Sequence, residues 1–364
     1  MDLDLNEGQQ LLRDTVRRIC EATFDAGKIR ALEAEDDKLN RPFWTELGAA
    51  GLCGLRIAEA HGGAAMSTLD LALVSEEFGR ALASSPFLSS CILSASILAS
   101  LAPADVQDEY LPAIAAGARI VIPAWDGNEA DAALATIDSA RAVLSGERLL
   151  VPFASVADLF LVHARGEGGG CWTLIPADAS GVSIEAQPNY ASQALFAVRF
   201  DDVEIDPARS FADGEMPGSD AAIFGDVLVA VAAEAVGAAE RLLALTADYA
   251  NQRQQFGRPI ANFQAVSHPL AECATELEGA RYLVYQAAWA KDGGMPHRHL
   301  AQMAKLKATS LFRRLATVSV QVHGGIGYST EAEPQLFYRR SKFHELMYGT
   351  PAELRARISD HVFA

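Results

Sequence analysis

The apolar residues of this chain change their spacing twice. The resulting order of helical, β and helical segments limits the folds that the chain can adopt. Up to about Gly117 they recur at three- and four-residue intervals, which predicts helices. Short apolar runs separated by glycine-rich turns then predict strands, and after Ser219 the helical spacing returns in longer stretches. We therefore expect an α+β fold with an N-terminal helical domain (1–117), a central β-barrel or sandwich (118–212) and a C-terminal four-helix bundle (219–364).

Several individual elements follow from the same spacings. Asn6 is placed to cap the first helix. The clearest predicted strands are Leu159–Val162, Cys171–Ile175, Val182–Ala186 and Leu195–Ile205. Two long amphipathic helices are predicted around Val266–Val284 and Ala308–Val322. Pro269, inside the first of these, implies that this helix starts late or bends there.

The composition excludes several classes of protein. With 30 basic and 47 acidic residues the chain has a formal charge of −17, which disfavours nucleic acid and anionic membranes as partners. No apolar stretch approaches the ~20 residues that a membrane span needs, and the N-terminus does not resemble a signal peptide. The five cysteines are scattered without metal-type spacing, which predicts reduced thiols, a cytoplasmic protein and no metal site.

Two short motifs near the C-terminal end carry the chemical information in this sequence. The first is Arg253-Gln254-Gln255-Phe256-Gly257, followed by Gln264, and the second is Gln321-Val322-His323-Gly324-Gly325. Together they resemble the flavin-dependent acyl-CoA dehydrogenases, and weaker matches extend the resemblance nearly end to end. The order of helical, β and helical segments is also the layout of that family.

The resemblance implies that the chain takes part in an FAD site. In that family one subunit's β-domain and terminal loop hold the flavin ring, and the neighbour's C-terminal helices hold the pyrophosphate and adenosine. Arg253 matches the pyrophosphate partner, since a guanidinium fork fits two phosphate oxygens. The other matching cofactor contacts are Gln255, Phe256, Gln264, Gln321, Gly324 and Gly325. Each residue alone has an ordinary explanation, such as a surface ion pair or a helix cap, but the whole set in family order favours a cofactor site.

The residues with which the family holds its own flavin ring are replaced here. Where the family has Lys-x-Trp-Ile-Thr/Ser, this chain has Arg148-Leu149-Leu150-Val151-Pro152. Leu150 therefore stands in place of the Trp, and Pro152, which lacks even a backbone N–H, replaces the hydroxyl residue. A Thr-Glu-Pro…Gly-Ser-Asp stretch is replaced by residues 123–131, in which Trp125 is either a displaced wall residue or an ordinary core residue.

The resemblance also places Tyr348 where the family usually has its catalytic Glu. Removing a proton next to a thioester carbonyl calls for a carboxylate, and a phenol of pKa ~10 is a poor base near neutrality. Some members carry the Glu at a position that matches about Val227 here. Asp226 adjoins that position, but one helical step turns a side chain by ~100°. We therefore assign no catalytic residue to this chain.

Three other groups near Tyr348 bear on its chemistry. Glu345 is expected to be solvated, and His344 is the only group nearby in sequence that could assist the phenol. Thr350 keeps the hydroxyl that the family has at this position.

The residues for a self-contained active site are thus lost, whereas those that serve a partner's site remain. This pattern resembles the heteromeric α2β2 acyl-CoA dehydrogenases of bacterial steroid side-chain catabolism, in which one subunit type supplies the base. The resemblance implies FAD, an acyl-CoA substrate, a homologous partner that carries the catalytic Glu, and an electron-transfer flavoprotein type of acceptor.

Two alternatives remain open on the sequence alone. In the first, the chain is a self-sufficient homotetrameric dehydrogenase with an unrecognised base. In the second, it is a flavin-free scaffold that has kept only the fold. The amount of FAD separates the three hypotheses. One FAD per heterodimer favours the partner subunit, one per chain expressed alone favours self-sufficiency, and no flavin in any complex favours the scaffold.

Overall fold

The computed structural model describes residues 4–125, 135–138, 141–166, 169–213 and 222–363. Within these ranges the helices are α1 (Glu7–Thr23), α2 (Ala26–Glu33), α3 (Arg41–Ala49), α4 (Thr68–Arg80), α5 (Ala95–Leu101), α6 (Ala104–Ala115), α7 (Ala222–Gln252), α8 (Gln264–Asp292), α9 (Arg298–His323), α10 (Pro334–Leu346) and α11 (Pro351–Phe363). A π-helical segment, Phe87–Ser94, leads into α5. The strands are β1 (Val121–Ala124), β2 (Ala135–Asp138), β3 (Val143–Pro152), β4 (Leu159–Gly166), β5 (Gly169–Pro176), β6 (Val182–Ala186), β7 (Leu195–Glu204), β8 (Ser210–Ala212), β9 (Gln254–Gln255) and β10 (Arg258–Pro259). This order confirms the predicted α+β fold.

The strands β1 to β8 form one mixed sheet. Its order is β6-β7-β3-β2-β4-β5-β8, with β1 parallel to β4. In the part of the chain that is described, β6 and β8 do not pair with each other, so the sheet is open. The β3–β7 ladder has a register shift between Arg148 and Val151, and this bulge pushes Leu149 and Leu150 out of the pairing. The four strands predicted from the sequence correspond to β4, β5, β6 and β7.

The chain divides into two compact units. The first contains residues 1–30, 67–83 and 228–364, and the second contains residues 31–66 and 84–227. In the first unit α9 packs against α8, α10 and α11. Of the two outcomes predicted for Pro269, a late start or a bend, the late start is wrong, because α8 begins at Gln264 and includes Pro269.

Hydrogen bonds at their first turns fix where α1 and α4 begin. The Asn6 side chain accepts from the Gln9 N–H in a capping box, as predicted for Asn6. Ser67 and Asp70 form the same motif at the start of α4. The Asp292 carboxylate from the end of α8 also accepts from the Thr68 N–H at 2.8 Å, which ties the two helices together.

In the first unit α4 and α7 cross with their backbones in contact. A Cβ atom on Gly79 would lie 1.9 Å from the Glu234 carbonyl oxygen, and one on Gly237 would lie 1.8 Å from that of Glu76. Only glycine therefore fits at these two positions. The crossing places Glu76 beside α8, where it accepts from Arg281 at 2.7 Å. Burial nevertheless raises the pKa of Glu76, against the opposing effect of the Arg281 charge.

Candidate cofactor site

Arg253 follows directly on the last residue of α7, and backbone hydrogen bonds hold it there. Its N–H donates to the Tyr249 carbonyl oxygen at 2.8 Å, and its carbonyl oxygen accepts from the Ile260 N–H at 2.8 Å. The side chain is exposed. Among the described residues, no carboxylate pairs with the Arg253 guanidinium. The guanidinium is therefore available to a phosphate group.

The strands β9 and β10 form a small hairpin whose tip presents an aromatic ring to solvent. The loop residues Phe256 (φ 52°) and Gly257 (φ 76°) both have positive φ, the pattern of a type I′ turn. Phe256 is 91% exposed, and its ring meets that of Phe263 only edge-on at 6.0 Å. A left-handed phenylalanine costs about 1–2 kcal/mol, and burial within this chain does not offset that cost. Within the described part of the chain, the ring therefore has little packing.

The glycines after α9 have different reasons for being glycine. Gly324 adopts φ 64° and ψ −141°, which side chains disfavour. At Gly327 an added Cβ would lie 2.8 Å from the Val320 carbonyl oxygen. Gly325 does not have a positive φ, and among the described residues no atom lies within 4 Å of an added Cβ. Its lack of a side chain leaves the backbone open to a ligand.

A ring stack connects the end of α7 to the end of α9. The centroids of Tyr249 and His323 lie 4.1 Å apart with 23° between the ring planes. The Nδ1–H of His323 donates to the Ser319 carbonyl oxygen at 2.8 Å, and the Ser319 and Thr246 hydroxyls are 2.7 Å apart. Burial lowers the pKa of His323, so the ring is neutral at pH 7. The stack therefore joins the end of α7, from which Arg253 and the β9–β10 hairpin follow, to the glycine turn (residues 324–327) after α9.

The predicted cofactor residues all lie in the first unit and are all exposed: Arg253, Gln255, Phe256, Gln264, Gln321, Gly324 and Gly325. Gln264 is the first residue of α8, and Gln321 lies in the last turn of α9. Sequence reasoning missed Tyr249 and His323 as the residues that join the two groups. The only signal was their position: Tyr249 lies four residues before Arg253, and His323 lies within the second motif. Contact of these residues with FAD stays a prediction.

Tyr348 lies in a strained turn between α10 and α11. It has φ 56°, and Gly349 after it has φ 113°. The Thr350 N–H donates to Glu353 Oε2 at 2.7 Å, and the Glu353 N–H donates to Thr350 Oγ1 at 3.3 Å. This reciprocal pair is a capping box, so the Thr350 hydroxyl begins α11. The Thr350 N–H also lowers the pKa of Glu353.

The other groups weighed as bases or helpers are engaged elsewhere. Glu345 is not solvated as expected, because its side chain is 14% exposed and pairs with Lys342 at 2.6 Å. In the second unit the buried Asp226 pairs with Arg56 at 3.3 Å. His344 uses both ring nitrogens: Nδ1 donates to the Arg340 carbonyl oxygen, and Nε2 lies 2.9 Å from Glu234 Oε2. Both ring nitrogens are thus engaged away from the phenol that His344 was considered able to assist.

In the second unit, the segment that replaces the family's ring-holding residues has its own hydrogen bonds. Leu150 sits in the β3 bulge with φ 56° and is 52% exposed. Its N–H donates to Gln187 Oε1 at 2.6 Å, and Pro152 offers no N–H. Trp125 is half-buried against Phe224, with ring centroids 4.6 Å apart. Residues 126–131 of the replaced stretch lie outside the described residues.

Comparisons with known proteins agree on one family. Residues 6–118 match the model of the acyl-CoA dehydrogenase N-terminal domain, and residues 228–363 match that of the C-terminal domain. The chain is 29% identical over 360 residues to acyl-CoA dehydrogenase FadE27 of Mycobacterium tuberculosis, in a match that covers 96% of this chain and 95% of the relative.

Two solved structures are similar along nearly their whole length. A chain of the ChsE4–ChsE5 complex from Mycobacterium tuberculosis is 29% identical, with a TM-score of 0.90 over 100% of this chain and 99% of that one. A chain of a variant of the Tcur3481–Tcur3483 steroid ACAD is 28% identical, with a TM-score of 0.86 over 98% of each chain.

The residues present fit the cofactor of this family. FAD carries a pyrophosphate, for which Arg253 has a free guanidinium, and Gly325 leaves backbone open where a dinucleotide would lie. The predicted cofactor, FAD, is thus supported by both the residues and the relatives. From its two matched domains, its fold and these motifs, the chain belongs to the acyl-CoA dehydrogenase family.

Proposed function

We propose that this chain is one of two unlike subunits of an FAD-dependent acyl-CoA dehydrogenase. It completes the partner's FAD site in trans, and the partner supplies the carboxylate that abstracts the substrate's α-proton. One observation carries this proposal: the residues that would reach a neighbour's cofactor are intact and exposed, whereas Leu150, Pro152 and Tyr348 replace those for the chain's own chemistry.

The exposed residues that match the family's cofactor contacts are arranged to receive a ligand or partner. Arg253 would bind the pyrophosphate, Gly324 and Gly325 would let the dinucleotide approach the backbone, and Phe256 would add apolar contact. Beside the glycine turn, Ile326 is 58% exposed and Tyr328 is 73% exposed. Apolar groups left in water this close together usually mark a surface that is covered in an assembly.

The outward face of α8 supports an assembly as well. Seven of its exposed residues form one stripe at spacings of four and three: His268, Glu272, Thr275, Gly279, Tyr282, Gln286 and Trp289. This heptad spacing is the one with which a helix meets another helix. Gly279 lowers the stability of the helix by about 1 kcal/mol, and no atom of the described residues lies within 4 Å of an added Cβ. A close approach by a partner helix would explain that glycine.

The chain's own chemistry is limited by what stands at position 348. When bound, FAD accepts the hydride equivalent that leaves the substrate's β-carbon. The proton on the α-carbon needs a carboxylate, and Tyr348 supplies a phenol instead. In the second unit the Leu150 N–H is used by Gln187, which removes a donor from the segment that would face a flavin ring. This chain therefore binds and orients, and leaves proton transfer to its partner.

The relatives narrow the substrate class that we propose. Two of the similar structures are of paired proteins, and one of these is described as a steroid ACAD. We propose a steroid side-chain CoA thioester as the substrate and an α2β2 assembly. A chain in an electron transferring flavoprotein structure from Acidaminococcus fermentans is 26% identical with a TM-score of 0.87, and we propose an acceptor of that type.

A cytoplasmic location is part of the same proposal. No helix in the described part of the chain is long and apolar enough to cross a membrane.

The test is to co-express the chain with its genomic neighbour and to measure FAD per chain in the purified complex. About one FAD per heterodimer, with little or none on the chain alone, supports the proposal. One FAD per chain when it is expressed alone would favour a self-sufficient enzyme. A complex without flavin would favour a scaffold.

A further inference from the structure

A buried ammonium group lies where the chain passes from α10 into α11. Lys305, on α9, has no side-chain surface exposed to solvent. Its Nζ donates to the Gly349 carbonyl oxygen at 2.5 Å and to the Glu345 carbonyl oxygen at 3.3 Å. These two acceptors lie on either side of Tyr348. One side chain from a different helix therefore spans the turn.

The turn needs such a support because its own conformation is unfavourable. Tyr348 has φ 56° and Gly349 has φ 113°, so two successive residues lie in the left-handed half of backbone space. A non-glycine residue there stays in place only when its surroundings hold it. The capping box of Thr350 and Glu353 fixes the end of the turn that leads into α11, and Lys305 binds the backbone on both sides of Tyr348.

The charges around Lys305 are few, and they come from the elements that pack on it. Glu345 on α10 and Glu353 on α11 favour the protonated form, and Arg357 on α11 opposes it. Burial is the largest effect and lowers the pKa of Lys305 to about 8, so the group is still mostly protonated at pH 7. A protonated amine makes charge-assisted hydrogen bonds to both carbonyl oxygens.

We propose that Lys305 is the positioning residue of the Tyr348 turn (residues 347–350), which fixes where the side chain at position 348 stands. It acts through the backbone of residues 345 and 349, and not on substrate or flavin. The functional relevance of position 348 rests on the proposed function. The anchoring of the turn by Lys305, however, can be measured with or without flavin. The two claims can therefore fail separately.

The first experiment compares Lys305→Met with Lys307→Met in the co-purified complex by hydrogen–deuterium exchange. Lys307 is the matched control, because it lies on the same helix but pairs at the surface with Glu276 at 2.6 Å. We expect amides of residues 347–354 to exchange about tenfold faster or more in Lys305→Met, with α8 unchanged. Lys307→Met should leave the turn as it is. Wild-type exchange of the turn in a folded Lys305→Met variant would overturn the proposal.

The second experiment disturbs the turn and observes the lysine, so it is decisive even if Lys305→Met does not fold. Gly349→Ala places a Cβ at φ 113° and strains the turn while Lys305 is kept. We expect labelling of Lys305 by an amine reagent to speed up about tenfold, with Lys307 labelled as before and the melting temperature nearly unchanged. The proposal would be overturned if the turn amides of Gly349→Ala exchange faster while the labelling rate of Lys305 stays at the wild-type value. The lysine and the turn would then not be coupled.

Discussion

Tyr249 and His323 stack at 4.1 Å and so join two segments that are 74 positions apart in the sequence. Tyr249 lies one turn before Arg253, and His323 lies directly before Gly324. Both predicted parts of the cofactor site are therefore attached to one contact, between the half-buried Tyr249 and the buried His323. The stack is a structural support for the site, and a change there should act on the cofactor without touching it.

Tyr249→Leu should lower the retention of FAD in the complex. Loss of an aromatic pair costs about 0.5–1.5 kcal/mol beyond its area, which corresponds to roughly two- to tenfold weaker binding if the whole cost falls on the site. Flavin absorbance per complex after dilution measures this. Tyr249→Phe keeps the ring and should retain wild-type flavin. An equal loss in both variants would contradict the role of the stack.

Arg253→Ala should lower FAD retention more strongly. A charge-assisted contact with a phosphate contributes about 1.5–3 kcal/mol, so FAD should bind about tenfold more weakly or worse. The control is Arg314→Ala, an exposed arginine on α9 that already pairs with Glu276 at 2.7 Å. Unchanged flavin content in Arg253→Ala would remove this residue from the site.

Tyr348→Phe should leave turnover of the assembled complex within a few-fold of wild type. Ionising a phenol of pKa ~10 near pH 7 costs about 4 kcal/mol, and both nitrogens of His344 are engaged elsewhere. Steady-state kinetics with an acyl-CoA and an artificial electron acceptor measure this, and loss of the partner's carboxylate should abolish turnover. A thousand-fold drop from Tyr348→Phe with flavin intact would mean that this chain performs its own chemistry.

Two glycine-to-alanine changes should have opposite effects on stability. Gly79→Ala forces a Cβ against the Glu234 carbonyl oxygen and should lower the free energy of unfolding by about 3 kcal/mol or more. Gly279→Ala meets no atom and should raise it by about 0.5–1 kcal/mol in the free chain, while weakening the assembly if α8 meets a partner helix there. Denaturant unfolding and size-exclusion chromatography measure the two effects. A stable Gly79→Ala variant would contradict the close crossing of α4 and α7.

The stability of the protein should depend on pH through Lys305. Its pKa is lowered from 10.5 to about 8 in the folded chain, so between these values the unfolded chain binds more protons. The free energy of unfolding therefore gains a contribution that rises with pH through this window. Lys305→Met should remove that rise, so the wild-type minus variant difference should increase from about pH 8 to about pH 9.5. A difference that stays constant with pH would show that Lys305 titrates normally.

Patterns local in sequence predicted much of the fold. Asn6 reads as a cap from its place before an apolar stripe, and Val182–Ala186 matches β6 residue for residue. Contacts distant in sequence were missed. Lys305 lies 43 positions before Tyr348, and no periodicity links them. Glu345 was expected to be solvated, whereas folding buries most of its side chain and pairs it with Lys342.

The exposed hairpin tip at Phe256 has a consequence for how much of this protein accumulates in a cell. An aromatic ring that is 91% exposed is the kind of apolar surface that chaperones and proteases recognise on a subunit without its partner. On the proposed two-subunit function, the chain should be abundant only when the second subunit is made in equal amount. Gene dosage of that subunit, more than the intrinsic fold, would set how much of this protein stays soluble.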